Sequence, residues 1–358
     1  MSRKMNTLSP LRIGILGCAN IARQFARDVA PSPAVDVVAV ASRQMETASA
    51  FAKAHGIQRH YASYDALLSD ASIDAIYLPL PNSMHADWAI KAAEAGKHVL
   101  CEKPLSLGLV QAQNMFGAAN KNKVMLLEAY PYYFQPQTGA MLDILRAGDI
   151  GTVRSVQASF GFTLSNPGNN IRLKPELGGG ALLDAGSYAL SLIRLVMGCA
   201  PQRVRADASW AQTGVDISLM ATLYYADGRR AQLSCAMDTA YHRSAIVAGS
   251  LGALQTEYQN HTSARAGDNP FGYIPSRLRV RRGTANTTQF EDIVCGSGSG
   301  FRFAAEAFAD LVRKRDFDAM ALAALASLDN AATLEAIGQS ARLGQAVNLT
   351  DVSTAKAT

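Results

Sequence analysis

The chain has 358 residues, of which 49% are hydrophobic and 18% are charged, and its formal net charge is +5. Because single hydrophobic cores stop growing at roughly 250–300 residues, this length predicts two domains, and the composition excludes an intrinsically disordered chain. The charge is mild and forms no dense basic block, which argues against nucleic-acid binding. The first ten residues lack the apolar core of a signal peptide, and no run approaches the roughly 18 apolar residues of a membrane span, so we expect a cytoplasmic protein that does not bind membranes.

The cysteines predict neither disulfides nor a metal site. They are odd in number, widely scattered and free of any CxxC or zinc-type spacing. We expect most of them to be small buried side chains in a reducing compartment. The five are Cys18, Cys101, Cys199, Cys235 and Cys295.

The first third of the chain alternates short apolar runs with helical patterns. The predicted strands are Leu11–Leu16, Val35–Ala41, Ile73–Leu78, His98–Cys101 and Val124–Glu128. The first predicted helix ends near Val29, and the later ones span Met45–His55, Met84–Ala95 and Val110–Ala119. Strands separated by helices of about 10–15 residues indicate a doubly wound parallel sheet, which binds ligands at the carboxyl ends of its strands.

The turn after the first strand has a partial dinucleotide-binding pattern. Gly17, Ala19 and Ala22 occupy the positions of G-x-G-x-x-G, so only the first glycine is kept. The small side chains still allow close approach to a pyrophosphate, and the amides around Asn20 and Ile21 would bind its phosphates. The alternative is a flavin-binding or purely structural turn.

The end of the second predicted strand favours one cofactor over another. An NAD site usually has an acidic residue here to bind the ribose hydroxyls, but this chain has Ser42 and Arg43. A hydroxyl and a guanidinium suit the 2′-phosphate of NADP. We therefore expect NADP(H) to be preferred over NAD(H). The alternative is an exposed arginine that only opens a helix.

A single lysine follows the fourth predicted strand, in the sequence Glu102-Lys103-Pro104. Pro104 disfavours the helical region for Lys103, so we expect an extended residue that points into the ligand crevice. A solvated loop lysine is the alternative. Lys97 and His98, at the start of the same strand, are expected on the surface.

An acid and a tyrosine follow a run of three glycines. Gly178–Gly180 leaves the backbone open to a ligand, and a helix is predicted to run on to about Met197. Asp184 and Tyr188 are four residues apart and so share a face of that helix. The alternatives are that Asp184 caps the helix N-terminus and that Tyr188 is a core aromatic.

The remainder of the chain predicts a different, antiparallel sheet. After a helix over Tyr132–Ala147, the predicted strands are Val153–Phe162, Arg203–Trp210, Val215–Tyr225, Ala231–Met237 and Arg243–Gly249, with a hairpin at Asp227-Gly228. Closing helices are predicted over Phe301–Val312 and Met320–Leu343. The alternation in Arg277–Arg282 indicates a half-buried strand with a solvated basic face. A phosphate-binding patch for a nucleotide-sugar is the alternative.

Four of these segments together resemble the glucose–fructose oxidoreductase, inositol dehydrogenase and MocA (Gfo/Idh/MocA) family. They are Ile13–Ala22, Leu78–His85, Glu102–Pro104 and Gly178–Asp184, and the resemblance extends from about residue 11 to 345. It is closest to the NADP-dependent branch of dihydrodiol dehydrogenases, D-xylose dehydrogenases and sugar 3-ketoreductases. Many inositol dehydrogenase-like members have histidine where this chain has Tyr188, which points away from that branch.

The resemblance implies an α/β fold in two parts. A Rossmann domain would occupy residues 10–129, and a substrate-binding α/β domain with a large, mostly antiparallel sheet would occupy residues 130–346. The closing helices would pack back on the Rossmann domain, the sheet would form a homodimer or homotetramer, and residues 1–9 and 347–358 would be flexible tails. Lys103 would be the catalytic lysine, with Asp184 and Tyr188 at the acid/base positions. The nicotinamide side would be lined by Pro79, Leu80, Asn82, His85, Glu102 and Glu128.

Elementary chemistry agrees with this assignment. Reduction of a carbonyl needs a proton donor close to its oxygen, and a tyrosine of pKa about 10 is a poor base near neutrality. The Lys103 ammonium would favour the phenolate of Tyr188 and stabilise a developing alkoxide. We favour Tyr188 as the proton-transfer group, with Lys103 as the alternative.

The loop Asn166–Lys174 leads into the catalytic helix and is expected to contact substrate, first through Arg172; Lys174 is equally consistent with a solvated loop. We expect an NADP(H)-dependent oxidoreductase that interconverts a secondary alcohol and a ketone of a small-molecule sugar or cyclic polyol. One alternative is a nucleotide-sugar 3-ketoreductase. Another is a non-catalytic regulator that senses NADP.

Overall fold

Two β-sheets organise the chain in the computed structural model, which describes residues 9–259, 272–273 and 275–350. The first sheet has six parallel strands: β1 (Leu11–Leu16), β2 (Val35–Ala41), β3 (Arg59–Tyr61), β4 (Ala75–Leu78), β5 (His98–Glu102) and β6 (Leu126–Ala129). The helices between them are α1 (Asn20–Val29), α2 (Met45–His55), α3 (Tyr64–Leu68), α4 (His85–Glu94) and α5 (Leu109–Lys121).

The strand order is β3-β2-β1-β4-β5-β6, so the chain reverses direction across the sheet at β1. Such a switch point opens a crevice at the carboxyl ends of the strands, where doubly wound sheets bind ligands. The expected parallel sheet is confirmed. The sequence did not predict β3 and α3, because three half-exposed residues and one short turn of helix carry no apolar periodicity.

One prediction for the first sheet is wrong. Lys97 was expected on the surface, but it is only 6% exposed. Its Nζ donates to the carbonyl oxygens of Asp70 and Ile73 at 2.7 and 2.8 Å. A buried amine is tolerated here because it satisfies backbone acceptors in the turn before β4, although burial lowers the pKa of Lys97.

Within the described residues, the second sheet has nine strands in the order β14-β13-β12-β11-β7-β10-β9-β8-β15. They are β7 (Val153–Thr163), β8 (Arg203–Trp210), β9 (Asp216–Tyr224), β10 (Arg230–Ala236), β11 (Asp238–Gly249), β12 (Gly252–Thr256), β13 (Leu278–Arg282), β14 (Glu291–Asp292) and β15 (Val347–Asn348). Every pair is antiparallel except β10 with β7. The mostly antiparallel sheet is therefore confirmed.

The predicted hairpin joins β9 to β10. Gly228 has φ +84°, and its amide donates to the carbonyl of Tyr225 at 3.1 Å. Glycine adopts this left-handed conformation without the steric cost that a side chain brings. The turn therefore sets the register that places Leu223 opposite Ala231.

In the described part of the chain after β6, the α-helices are α6 (Pro136–Arg146), α7 (Ser187–Met197), α8 (Gly300–Lys314) and α9 (Phe317–Leu343). Helices α7 and α9 pack on the sheet through β7 and β8. Their core partners on the strands include Val156, Val204, Leu223 and Val247, which are almost fully buried. Helix α8 packs instead on α1 and the first sheet, where Phe308 is fully buried.

The segment expected to begin a flexible tail at residue 347 starts with a strand. Val347 pairs antiparallel with Val204, Asn348 pairs with Arg203, and Val347 is only 6% exposed. The prediction for residues 347–348 is therefore wrong. A two-residue strand carries no sequence signal of its own, and this one forms because the edge of β8 offers it unpaired backbone groups.

The basic strand β13 is half-buried, as predicted. Leu278 and Val280 are buried, whereas Arg282 forms salt bridges with Asp149 and Glu291, both at 2.8 Å. Arg277 lies 3.7 Å from Asp292. Carboxylates balance the charges of Arg277 and Arg282, which favours a solvated face over a phosphate-binding patch at these two positions.

Two helical segments, Pro175–Met197 and Phe317–Leu343, have the length and composition of a membrane span. Within the protein, 72% and 50% of their most apolar windows are buried. Packing against the second sheet therefore accounts for their apolar composition. Helix α7, which ends the first segment, carries Tyr188 at its second position.

Candidate active site

Two adjoining cavities lie where the first sheet meets the start of α7. The first, of about 540 Å³, is lined from the first sheet by Ala19, Ile21, Pro79, Leu80, Pro81, Asn82, Glu102 and Lys103, and from the rest of the chain by Phe160, Phe162, Ile171, Arg172, Leu177, Gly178, Gly179, Gly180, Asp184, Tyr188 and Tyr241. The second, of about 560 Å³, is lined by Gly17, Cys18, Ala19, Ser42, Arg43, Gln44, Thr47, Tyr64, Pro79, Leu80 and Pro81. The cavities share four residues, so together they form one elongated site.

The turn between β1 and α1 fits a pyrophosphate. Gly17 has φ +106°, and a Cβ there would lie 2.9 Å from Cδ2 of Leu80, so only glycine suits the position. Ala19 precedes α1 without a polar side chain that could cap it, and the first turn of α1 contains no acidic residue. The first amides of α1 and its dipole are therefore available to an anionic ligand. Asn20 is exposed at the start of α1 and lines neither cavity.

Ser42 and Arg43 lie at the end of β2 and line the second cavity. The Oγ of Ser42 accepts a hydrogen bond from the amide of Gln44 at 3.3 Å, which fixes the turn. Arg43 is exposed and forms no salt bridge with any residue that the structure describes. A guanidinium at this place suits a phosphate on the ribose of a dinucleotide.

Lys103 lies at the end of β5, and its side chain crosses to the start of α7. Its Nζ donates to the carbonyl oxygen and to Oδ1 of Asp184, at 3.0 and 2.8 Å. The same nitrogen is 4.7 Å from the ring centroid of Tyr188. Since its side chain is only 11% exposed, Lys103 is not a solvated loop lysine. Burial, the largest influence, lowers the pKa of Lys103, but Asp184, Tyr188 and Glu102 outweigh it and raise the pKa above its usual value.

Asp184 lies in a single π-helical turn, Leu182–Gly186, that precedes α7. Its carboxylate accepts from Lys103 through Oδ1 and from Nε of Arg172 through Oδ2, the latter at 2.5 Å. Burial raises the pKa of Asp184, but the two cations outweigh it and hold the pKa well below its usual range. The carboxylate therefore pairs with two cations and does not act as a helix cap. Single π turns are frequent at functional sites.

The glycine run holds this turn in place. Nδ2 of Asn82 donates to the carbonyl of Gly178 at 2.8 Å, which ties the loop after β4 to the second half of the chain. Gly180 has φ +113°, and a Cβ there would overlap the carboxylate of Asp216. That carboxylate accepts from the amide of Leu182 at 2.6 Å. The glycines thus allow Asp216 to approach closely and anchor the start of the π turn.

Two residues that were expected to line the nicotinamide side lie behind it. His85 is fully buried, and its two ring nitrogens are each 2.8 Å from a carbonyl oxygen, those of Pro104 and Leu80. Glu128 is 5% exposed and accepts from the amide of Leu105 at 2.8 Å. Neither side chain lines a cavity, because each turns toward the backbone around Lys103.

The remaining predicted residues divide as follows. Glu102 lines the cavity and accepts from the hydroxyl of Tyr77 at 2.6 Å; burial raises its pKa, and hydrogen bonding to Tyr77 opposes the rise. Arg172 lines the cavity, as expected, and pairs with Asp184. Lys174 does not line it, so the solvated-loop interpretation applies to that residue.

Sequence reasoning missed an aromatic wall of the cavity. Phe160 and Phe162 of β7 and Tyr241 of β11 line it, opposite the nucleotide turn. The period of two along a strand places Phe160 and Phe162 on one face, which was a usable signal. Nothing in the local pattern, however, indicates that β7 reaches the crevice of the first sheet.

In the part of the chain that the structure describes, no three His, Cys, Asp or Glu side chains gather closely enough to hold a metal ion. The polar side chains that line the cavity are an ammonium, a guanidinium, two phenols, two carboxylates and an amide. That set suits charge stabilisation and proton transfer.

Comparison with known proteins places the whole arrangement in one family. The model described as "Oxidoreductase family, NAD-binding Rossmann fold" matches residues 11–130, and that described as "GFO/IDH/MocA C-terminal domain" matches residues 139–255. The chain belongs to the Gfo/Idh/MocA family. The resemblance inferred from four sequence motifs is therefore confirmed, and the chain is an oxidoreductase with an NAD(P)-binding Rossmann fold.

Several relatives with named activities are similar to this Gfo/Idh/MocA protein over most of its length. It is 38% identical over 247 residues to a D-xylose 1-dehydrogenase (NADP(+)) of Haloferax volcanii, which covers 68% of this chain and 75% of that protein. It is 35% identical over 245 residues to a trans-1,2-dihydrobenzene-1,2-diol dehydrogenase of Xenopus tropicalis. This match covers 68% of this chain and 74% of that protein. Its fold matches the crystal structure of KijD10, a 3-ketoreductase from Actinomadura kijaniata in complex with NADP and TDP-benzene, with a TM-score of 0.80 and 30% identity. The match covers 92% of this chain and 98% of that chain.

Proposed function

We propose that the protein transfers hydride between NADP(H) and a secondary alcohol or ketone of a sugar or cyclic polyol, in the manner of an aldose or dihydrodiol dehydrogenase. The observation that carries this proposal is the meeting of Lys103, Asp184 and Tyr188 at a cavity that continues into the nucleotide turn. Bound there, the nicotinamide supplies or accepts the hydride at its C4.

The roles of the three residues follow from their charges. Asp184 stays ionised and fixes the positions of Lys103 and Arg172, because its pKa is held low. Lys103 stays an ammonium, since its pKa is raised, and stabilises negative charge on the substrate oxygen. Tyr188 donates the proton in reduction and accepts it in oxidation. Lys103 is the second candidate for that step, though its raised pKa makes it the poorer proton donor.

The cofactor preference rests on the end of β2. Ser42 and Arg43 line the second cavity, where the acidic residue of an NAD site would stand. The Haloferax relative is named as NADP(+)-dependent, and KijD10 was solved with NADP. Both relatives support NADP(H) over NAD(H) for this chain.

A nucleotide-sugar 3-ketoreductase is the second candidate. The likeness to KijD10, which covers 98% of that chain, favours it. The aromatic wall of Phe160, Phe162 and Tyr241 offers apolar surface to a sugar ring or to a base. The interpretation as a non-catalytic regulator has weaker support, because the ammonium, carboxylate and phenol are all in place.

A substrate panel followed by nicotinamide absorbance separates these candidates. It would contain D-xylose and other aldoses, a trans-dihydrodiol and a dTDP-linked 3-ketosugar, each with NADP(H) and NAD(H). We expect turnover of a free sugar or diol with NADP. Turnover of the dTDP-sugar alone would establish the second candidate, and tight NADPH binding with no turnover of any substrate would support the regulator.

The proton-transfer role is tested with two tyrosines of one aromatic cluster. Tyr188→Phe removes the proposed donor and should lower kcat by about 10²–10⁴-fold without changing NADPH affinity. Tyr258→Phe is the matched control, since its hydroxyl donates to the carbonyl of Ser159 and does not line the cavity. Equal kcat values for the two variants would contradict the assignment.

The assembly and its setting are proposed on weaker grounds. We infer two domains, residues 10–129 and 130–346, and a cytoplasmic homodimer or homotetramer formed through the outer face of the second sheet. On that face Met220 is 69% exposed and Ile246 is 42% exposed. Light scattering should report a smaller particle for Met220→Glu, whereas Leu322→Glu on α9, where the leucine is 71% exposed, should leave the mass unchanged.

A further inference from the structure

A buried arginine from the second sheet lies against the proposed proton donor. Arg243 of β11 is 6% exposed. Its guanidinium carbon is 4.1 Å from the ring centroid of Tyr188, 4.2 Å from that of Phe160 and 5.2 Å from that of Tyr258. No motif of the sequence indicated this residue, and it does not line the cavity.

Arg243 lies on the buried face of β11, where the other buried residues are apolar. Along β11, Ala245 and Val247 point to the same face and are buried, whereas His242 and Ser244 are exposed. Burial of a charge is costly unless the site compensates for it, and arginine is almost never buried without a partner. Contact with aromatic faces supplies part of this compensation.

The ring of Tyr188 therefore contacts two cations from different parts of the fold. Lys103 Nζ is 4.7 Å from its centroid and the guanidinium carbon of Arg243 is 4.1 Å from it. A cation close to an acid favours the ionised form and lowers its pKa. Lys103 also binds Asp184, which offsets part of its charge at Tyr188.

Other titratable groups around Tyr188 change this balance little. Asp184, in the turn before α7, is matched by Lys103 and Arg172 together. Among the residues that the structure describes, other acids near the ring include the phenols Tyr77, Tyr130, Tyr132 and Tyr258 and the carboxyl of Glu102. Burial raises the pKa of each of these groups, so the phenols stay neutral near pH 7.

We propose that Arg243 is a positioning residue whose fixed charge favours the phenolate of Tyr188, so that this group exchanges its proton closer to neutral pH than an ordinary tyrosine. The proposal rests on the function proposed above, because it gives Tyr188 the proton-transfer step. It adds that the second sheet, and not Lys103 alone, sets the pH range in which the site works.

The test compares a neutral with a charged replacement. Arg243→Met keeps an extended side chain and removes the charge, whereas Arg243→Lys keeps the charge. In the oxidation direction, kcat/KM rises with pH as Tyr188 ionises, so the rise should move upward by at least about one pH unit in Arg243→Met. It should stay within a few tenths of a unit of the wild type in Arg243→Lys. The matched control is Arg342→Met, which removes a guanidinium 4.5 Å from the ring centroid of Trp210. It should not change the pH at which kcat/KM rises.

Two results would overturn the proposal. One is a wild-type rate that rises with pH and keeps the same pH profile in an Arg243→Met protein that melts like the wild type and binds NADPH normally. The other is an equal shift in the methionine and lysine variants, because that would indicate packing and not charge.

A second measurement needs no substrate. The difference in phenolate absorbance between the wild type and Tyr188→Phe, followed against pH, reports the ionisation of Tyr188 itself. We expect it below the usual value of about 10, and higher in Arg243→Met; ionisation at or above 10 in the wild type would overturn the proposal even if Arg243→Met did not fold. If the pKa of Tyr188 were low and rose in Arg243→Met while the rate did not depend on pH, the effect of Arg243 on Tyr188 would stand. The catalytic role of Tyr188 would then be contradicted.

Discussion

The two sheets differ in how they are covered and in what they contribute to the site. In the first sheet, successive residues such as Ile76 and Tyr77 are both fully buried, because helices cover both faces. In the second sheet, Val247 is fully buried and its neighbour Ile246 is 42% exposed, because helices cover one face only. The first sheet contributes the nucleotide turn and the charged side chains of Arg43, Glu102 and Lys103 to the site, whereas the second contributes the aromatic wall of Phe160, Phe162 and Tyr241.

Lys103 joins the two halves. It directly follows β5 of the first sheet, and its Nζ binds Asp184 in the turn before α7. We therefore propose that the chemistry is located at the seam where the two halves meet, since each half contributes residues to the cavity.

The largest effect is expected where the halves meet. Lys103→Met removes the ammonium from the substrate oxygen and from Asp184, so kcat/KM should fall by at least about 10³-fold while NADPH still binds. Lys97→Met is the matched control, a second buried lysine of the first sheet whose Nζ binds two backbone carbonyls. It should lower the melting temperature and leave kcat nearly unchanged. A loss of catalysis in both variants alike would mean that the two lysines share a structural role.

A pH effect on stability should come from Glu128 in the first half. Burial raises the pKa of Glu128 from 4.5 to about 7. Between these values the folded state holds a proton that the unfolded state releases, so stability falls as pH rises from about 4.5 through about 7, by about 3 kcal/mol in total. Glu128→Gln lacks this dependence and should gain stability relative to the wild type as pH rises to about 8.

Denaturant unfolding at about pH 5 and about pH 8 measures this difference. Glu94→Gln, at an exposed position of α4, is the matched control and should follow the wild type. If the wild type and Glu128→Gln lost the same stability between the two pH values, burial of Glu128 would not carry the effect.

The smallest effect is expected at the far end of the nucleotide cavity. Arg43→Ala should raise the KM for NADPH by about 10-fold, the loss of one charge-assisted contact, and leave the KM for NADH unchanged. Arg23→Ala, which removes a guanidinium 5.2 Å from the ring centroid of Phe51 outside the cavity, is the control and should change neither value. Equal changes for both cofactors in Arg43→Ala would contradict a role in binding the 2′-phosphate.

The same contrast explains what could be predicted from the sequence. Each long strand and helix of the first sheet has its own local signal, from Leu11–Leu16 to Leu126–Ala129, and the order of such elements restricts the topology. The strand β3 escaped prediction because three residues carry no periodicity. Lys103, Asp184 and Tyr188 were found because glycine and proline mark their surroundings in the sequence.

The features that the sequence did not predict depend on which way a side chain points and on contacts between residues far apart in the chain. His85 and Glu128 follow the strand pattern correctly, but their side chains turn inward to backbone groups that the sequence does not place. Phe160 and Arg243 reach the site only through the packing of one half on the other. Local patterns do not specify that packing, because it depends on contacts between residues far apart in the chain.

The central claim is that Lys103 and Tyr188 act on opposite sides of one seam upon a single nicotinamide and substrate. A crystal structure with NADP⁺ and a slowly turned-over sugar or diol tests it most directly. We expect the nicotinamide in the 540 Å³ cavity, with the reacting substrate oxygen within hydrogen-bonding distance of both Lys103 Nζ and the Tyr188 hydroxyl. A nicotinamide outside that cavity, or a substrate oxygen that contacts neither group, would contradict the account.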